Sequence, residues 1–567
     1  FNKELPTEIF LKHKTAGEIT LKSLKDNPML GNGPALFSNV YKKHRPDNLG
    51  DFSNVNFNQS TSFFWTMATT TGILGIASFL FLVFSGLVLT FKEVLVTINS
   101  AKGQTENNFL NYLKISIGLG WIFLTVFLFL YFASITIMML WWLFLGLLLA
   151  SSFLGKKDSS KEIATTSSGP KTSFFLSFGF ILIIIGLISV IYLHSQKYFA
   201  AIYFNQAVAS SMEENQTQKT AEKISNAVSL DSNRDSYYRD LAAVHLALAK
   251  EKIAEKGLQD LTPEESNYIS TRFRNALQSL QRAVELNPSD SVNYISLANL
   301  YEEFIVIQKD SANKAIENYE KAIELDPKNL ELYRAIANIK ITLADLDTAE
   351  RNQQQQQPSA EISAEAQELL VSAEDYINQA LEINSEYLAG NLLLVTIYEK
   401  KGETEKAIEK SKENIEMYPN YPELQMDLGR IYYQQENFDE AENYLRTALK
   451  MNNQYSNARY LLGLVLDKKD EKEAALEEFK KIKESNPENE LLDQIIDNLE
   501  NGREALADLS QQAQEQPQEP LEPEDIETPE EPVVPEENNN ENVEEAPVDN
   551  EENPVDEDNP ENPEENN

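Results

Sequence analysis

The sequence has no cysteine in 567 residues. Disulfide staples and thiolate metal sites are therefore excluded, and the redox compartment is left undetermined. Histidine is nearly as scarce, with four in the chain. His13, His194 and His245 belong to no recognisable constellation, so neither a metal nor a cofactor is expected. Lysine and arginine vanish after Arg503, whereas 24 of the 89 acidic residues follow it, so much of the net charge of −40 belongs to the tail. That balance argues against nucleic acid as a partner, because a polyanion would be repelled. An initiating Met is missing too. The chain starts at Phe1 without a charged and apolar leader, and reads as a fragment or a processed product.

What is present divides the chain into zones of different character, and the fold class expected is all-α. Residues 69–91 form a 23-residue run without a charge, which matches the roughly 20 needed to cross hydrocarbon. Residues 115–154 are uncharged over 40 positions, twice what one crossing needs, and read as two helices meeting near Ala133 and Ser134. Residues 173–192 supply a fourth span. The expected spans are therefore about 69–91, 115–132, 134–154 and 173–192, within a transmembrane region 63–192 whose partner is the lipid bilayer.

Orientation follows from the short loops. Lys156, Lys157, Lys161 and Lys171 lie between the third and fourth spans and are expected to stay cytoplasmic. Four spans then put both large ends outside the cell membrane. The leading segment carries eight basic residues of its own, among them Lys42, Lys43 and Arg45, but long segments translocate despite charge.

Residues 27–37 read NPMLGNGPALF, residues 41–46 YKKHRP, and residues 69–77 TTTGILGIA. Gly31, Gly33 and Pro34 make a tight turn of little bulk, which lets the backbone approach either another surface or a ligand phosphate. The order and spacing of these three pieces resemble the C-terminal part of the O-antigen ligase and polymerase family of bacterial membrane proteins. In that family a Gly-x-Gly-Pro motif opens a large extracytoplasmic loop, an Arg-Pro pair follows, and a Gly-Leu-Leu-Gly motif starts the next membrane helix. The resemblance covers roughly residues 15–150.

It implies an extracytoplasmic loop over residues 1–62 and metal-free transfer of an undecaprenyl-pyrophosphate-linked glycan. Under it Arg45 and His44 are the catalytic candidates, and Lys43, Arg45, Gly31 and Gly33 would bind the donor diphosphate, as basic groups suit a pyrophosphate leaving group. A solvated basic loop near anionic headgroups is the alternative for the same residues. The family's acceptor-activating His, about eleven residues before its Gly-Leu-Leu-Gly, falls here on Thr61. A hydroxyl cannot serve as a general base as an imidazole can.

Leu428, Gly429, Ala441 and Leu445 recur 34 residues later as Leu462, Gly463, Ala475 and Phe479. That period resembles the tetratricopeptide repeat (TPR), a helical hairpin whose small residues sit where its two helices touch. Unit ends at Pro487, Pro419, Ser385, Pro327, Pro288 and Ser232 indicate about seven units over residues 196–509. Leu491, Leu492, Ile495, Ile496 and Leu499 mark a C-terminal capping helix. Asn299 and Asn338 occupy equivalent places on the first helices, with Arg430 in the corresponding position later. Together these three are the candidate groove for a protein or peptide partner, against a merely solvated polar face.

Residues 510–567 are rich in Pro, Glu and Asn and bury too little apolar area to offset chain entropy, so a disordered tail is expected. Two functions follow. One is an O-antigen ligase-like protein of the bacterial inner membrane, multi-pass, with its TPR domain and tail outside, acting on a lipid-linked glycan. The other is a non-catalytic membrane-anchored TPR scaffold.

Overall fold

The computed structural model describes residues 11–34, 36–45, 57–100, 108–153, 170–212, 216–257, 261–305, 309–355 and 362–507. All belong to the first of two units, Phe1–Pro523; the second, Glu524–Asn567, and with it the expected disordered tail, lies outside the described residues. So does the lysine cluster at 156–161. Among the described residues there are twenty helices and no strand.

The leading segment forms α1 (His13–Asp26) and α2 (Phe37–His44). They hold a small core in which Leu11, Ile19, Phe37, Val40 and Tyr41 are buried, with Tyr41 meeting Phe57 edge to face. The apolar runs become α3 (Phe63–Ser100), α4 (Asn108–Leu130), α5 (Ile135–Phe153) and α6 (Pro170–Ser211). Three stretches are long and apolar enough to cross a membrane: Phe63–Leu95, Tyr112–Leu130 and Ser177–Ser211. The third expected span, 134–154, is the shorter apolar helix Ile135–Ser151, which begins after the non-helical residues 131–134, where Ile137 N donates to Ser134 Oγ.

Helices α3, α4 and α5 pack through aromatic rings. Trp121 and Trp141 lie 5.7 Å apart, and Trp141 Nε1 donates to Thr125 Oγ1 at 2.9 Å. Gly86 makes room for Trp121, whose ring would be 2.3 Å from a Cβ there. At one end of the pair α3/α4, Lys114 meets Glu93 at 3.3 Å. Among the described residues, none in the apolar stretch of α6 is buried. Its last turns behave differently: Ala200 and Ala207 are buried, and Phe204 stacks on Tyr237 at 4.9 Å.

Those last turns of α6 pair with α7 (Thr217–Leu230), and hairpins follow in register: α8 (Asp235–Lys256) with α9 (Pro263–Leu286), α10 (Ser291–Glu302) with α11 (Asp310–Leu325), α12 (Leu330–Gln355) with α13 (Ala364–Ile383), α14 (Leu388–Lys400) with α15 (Thr404–Met417), α16 (Pro422–Gln434) with α17 (Phe438–Met451), and α18 (Ser456–Lys468) with α19 (Lys472–Ser485). Two hairpins are longer than the others through extension of both paired helices, α8 with α9 and α12 with α13. Small residues set the closest approaches, since a Cβ at Gly429 would lie 2.8 Å from Leu445 and one at Gly463 2.7 Å from Phe479.

Gly402, Glu436 and Asp470, 34 residues apart, close the first helices of successive hairpins with φ of 72°, 57° and 64°. The next residue in each donates to the carbonyl five residues back, as Glu403 N does to Tyr398 O at 2.8 Å. This is a left-handed helix end that satisfies otherwise orphaned carbonyls. The array ends in α20 (Glu490–Glu500), which buries Leu492, Ile495 and Leu499 and leaves Leu491 and Ile496 partly covered.

Candidate functional site

The loop carrying Gly31 and Gly33 lies against a break in α3. Gly72 adopts φ 63°, ψ −161°, which interrupts the helix. Ile73 N then donates to Pro28 O at 2.9 Å and Leu74 N to Met29 O at 3.2 Å, while Gly33 N donates to Thr70 O at 2.8 Å and Asn32 N to Thr69 O at 3.3 Å. Gly31 N donates within its own turn to Asn27 O at 3.2 Å. The two glycine motifs of the sequence are thus the two sides of one backbone junction. The amides of residues 31–33 are all engaged within the chain, so the arrangement is close backbone approach; a phosphate cradle would need those amides free.

Helix α2 turns its basic side chains in two directions. Lys43 Nζ and His44 Nε2 meet Asp26 at 2.9 and 3.1 Å, toward α1. Burial lowers the His44 pKa from its ordinary value although Asp26 opposes that shift, so the ring is biased toward neutrality. Asp26 is held below the usual carboxylate range chiefly by its hydrogen bond from Lys43.

Lys42 and Arg45 face the array. Lys42 Nζ reaches Asp290 Oδ1 and Ser291 Oγ, both at 3.1 Å. Asn39 donates to Ser289 O at 2.7 Å, and Lys328 Nζ donates to Arg45 O at 2.8 Å. Arg45 Nη2 lies 3.1 Å from Asp326 Oδ1, the two side chains 8% and 7% exposed, without the alignment of a hydrogen bond. Burial raises the Asp326 pKa, with Arg45 and Lys42 pulling it down. One short helix therefore grips two turns of the array, the α9–α10 turn and the α11–α12 turn. Beside this contact is a cavity of about 210 Å³ bordered by Asn32, Asn39, Lys43, His44 and Glu324.

The three residues expected to line a peptide groove have different surroundings. Asn299 is exposed, and its Oδ1 lies 2.6 Å from the Tyr319 hydroxyl, which also lies 2.7 Å from Glu302. Burial first, then Glu302, pushes the Tyr319 pKa far upward, so the phenol keeps its proton. Asn338 is half-buried, one hairpin on. Arg430 is buried and saturated: Nε donates to Asp427 at 2.9 Å, and Nη1 and Nη2 fork onto Glu399 at 2.9 and 2.7 Å. It is an ionic tie between α14 and α16. The repeat pattern put Arg430 beside the asparagines by register alone, and its partners Glu399 and Asp427 carry no mark in that pattern. Asp290 and Asp326 are equally silent in sequence; their common trait is a place in the short turns that also hold Pro288 and Pro327.

Tetratricopeptide repeat families match residues 426–490 and residues 307–329. Neither match reaches the segment before the array. No curated protein sequence matches the chain. Solved structures similar to it include YrrB, described as a TPR protein with an unusual peptide-binding site, at 21% identity over 38% of this chain and 96% of that one with a TM-score of 0.26. TTC0263 of Thermus thermophilus, a thermophilic TPR protein, is 20% identical over 40% and 98%, TM-score 0.26. A tetratricopeptide repeat protein from Parabacteroides merdae is 14% identical over 54% and 100%, TM-score 0.34. The chain carries tetratricopeptide repeats, an architecture suited to protein–protein interaction.

Proposed function

We propose that the protein is a membrane-anchored scaffold whose repeat array binds a protein or peptide outside the cytoplasm, at the bacterial inner membrane. The observation that carries this reading is the use made of Arg45 and Lys42. The basic residues best suited to a diphosphate are engaged by Asp326 and Asp290 of the array, so the leading segment serves as a mount for the repeats. The candidate spans supply the anchor, and the short-loop lysines supply the orientation. Asn299 and Asn338 are the groove residues, with the outward amide of Asn299 available to a peptide backbone.

A photo-crosslinking residue at Asn299 of the full chain in intact cells should trap a discrete protein, and the trapped species should be lost when Asn338→Ala is added. An array that traps nothing at Asn299 would remove the scaffold.

A second reading, glycan transfer from an undecaprenyl-pyrophosphate-linked donor, is favoured by Lys43 and His44 at the rim of the cavity and by the resemblance of residues 15–150. Full-length protein incubated with a lipid-linked glycan should then transfer it, with loss on His44→Ala. No transfer by the unmodified protein would leave the scaffold alone.

A further inference from the structure

Leu21, Met29 and Leu30 are 62%, 55% and 73% exposed, outside every helix long enough to span a membrane. Leu21 lies on α1 just before the loop that carries Gly31 and Gly33, and Met29 and Leu30 lie within it. Through the Pro28 and Met29 carbonyls the loop is bonded to Ile73 and Leu74, themselves 48% exposed. From there an exposed apolar stripe runs down α3 through Leu80, Phe84 and Leu87 to Phe91. Its lower end is fixed by the Glu93–Lys114 pair, which sits at the first charges past the apolar run. The eighteen residue steps of helix from Phe91 to Ile73 rise about 27 Å, close to the ~30 Å of a hydrocarbon core. Met29 and Leu30 therefore stand one bilayer thickness from that charged end. Lys22 and Lys25 are exposed on α1, next to Leu21 and within the last two turns before the loop that carries Met29 and Leu30.

We propose that Leu21, Met29 and Leu30 form an interfacial anchor that seats in the headgroup and acyl boundary of an anionic bilayer, with the α1 lysines on the phosphates. This rests on the membrane reading of α3 given above. An apolar tip flanked by lysines gains from both acyl burial and surface charge, the combination by which monotopic segments bind. A soluble partner would have no reason to meet a patch continuous with the lipid-facing stripe.

The absence of cysteine allows a direct test. Single variants Leu30→Cys, Met29→Cys, Phe84→Cys and Glu18→Cys of the full chain are labelled with an environment-sensitive fluorophore in vesicles of phosphatidylglycerol and phosphatidylcholine. Quenching by lipids spin-labelled near the glycerol, or near the end of an acyl chain for Phe84, is compared with quenching by aqueous iodide. The Leu30 and Met29 probes should be quenched by the glycerol-level lipid label and shielded from iodide, with Glu18, on the lysine face of α1, open to iodide. Leu30 and Met29 probes open to iodide, with Phe84 still lipid-quenched, overturn the anchor and leave the span intact. Probes shielded from both quenchers mean that protein covers the patch, which also overturns it. A Phe84 probe untouched by lipid labels overturns the membrane reading and the anchor together.

Discussion

Gly31 and Gly72 touch backbone to backbone: a Cβ on either would stand 2.5 Å from the other's amide nitrogen. Both also hold φ in the left-handed region, at 67° and 63°. Gly31→Ala or Gly72→Ala should therefore cost more than about 2 kcal/mol, conformational strain adding to a clash with main chain that has no rotamer to move. Gly33→Ala shares the backbone strain, at φ 105°, but meets only the flexible Leu36 side chain at 3.2 Å and should cost less. Thermal melting of the purified full chain gives the order; equal losses at Gly31 and Gly33 would contradict it.

Removing Asp326 leaves Arg45 charged in a nearly closed site. Asp326→Ala should destabilise the docking of α2 by about 3 kcal/mol, read as faster amide exchange across α2 with the distal hairpins unchanged. The reversed pair, Arg45→Asp with Asp326→Arg, should recover part of that protection. Unaltered exchange in α2 would mean the two turns of the array are not what holds it.

Arg430→Ala strands Glu399 and Asp427 without their shared cation. Burial already raises the Glu399 pKa against the pull of Arg430. The loss should be about 3 kcal/mol, confined to the hairpins from α14 to α17. Exchange measured hairpin by hairpin distinguishes this from a binding role, for which the array would stay intact and only partner capture would fall.

Glu436 and Asp470 occupy the position that Gly402 holds one and two repeats earlier, all three with positive φ. Glycine is free of the side-chain penalty there, so Glu436→Gly and Asp470→Gly should each add up to about 1 kcal/mol. Gly402→Ala should subtract a similar amount. Denaturant midpoints of the three variants check the signs.

His245 is driven toward neutrality by burial first and by Arg272, 3.2 Å away, second. With a folded pKa below the unfolded value of about 6.5, the unfolded chain takes up the proton first, and stability falls as pH drops below that value. Asp240, Asp326 and Glu399, whose pKa values burial raises, work in the opposite sense. The clean measurement is therefore a difference: His245→Gln should lose less melting temperature between pH 7 and 5 than the unmodified chain. An identical slope would refute the assignment.

The helical class and the repeats were legible because their signals are local. Gly429 and Leu445, or Gly463 and Phe479, face each other within one hairpin, and the 34-residue period records that contact directly. The glycine motifs at 31–33 and 72–75 were legible as a pair, but whether they met each other or a ligand depended on hydrogen bonds that no spacing encodes. The partner of Arg45 was hidden for a related reason. Its counter-charge, Asp326, is 281 positions away in a turn with no distinguishing pattern. Uniform apolar runs hid another difference: α3, α4 and α5 share a ring-packed core while the apolar half of α6 is bare, because a sequence apolar on every side has no preferred face. At Arg430 the repeat register gave the right helix and the wrong environment, since Glu399 approaches from the preceding hairpin.

Helix α6 runs without a break from its bare apolar half into the first hairpin, 42 residues in all, a lever about 63 Å long. With one arm fixed, a swing of the other would drag Asp326 off Arg45, so the array is bolted at two points like a bracket. Load applied to the outer repeats is then shared: part bends α6, and part travels through α2 and the 28–33 loop to the Gly72 joint of α3. Pulling on the outer repeats is thereby coupled to the shape of α3.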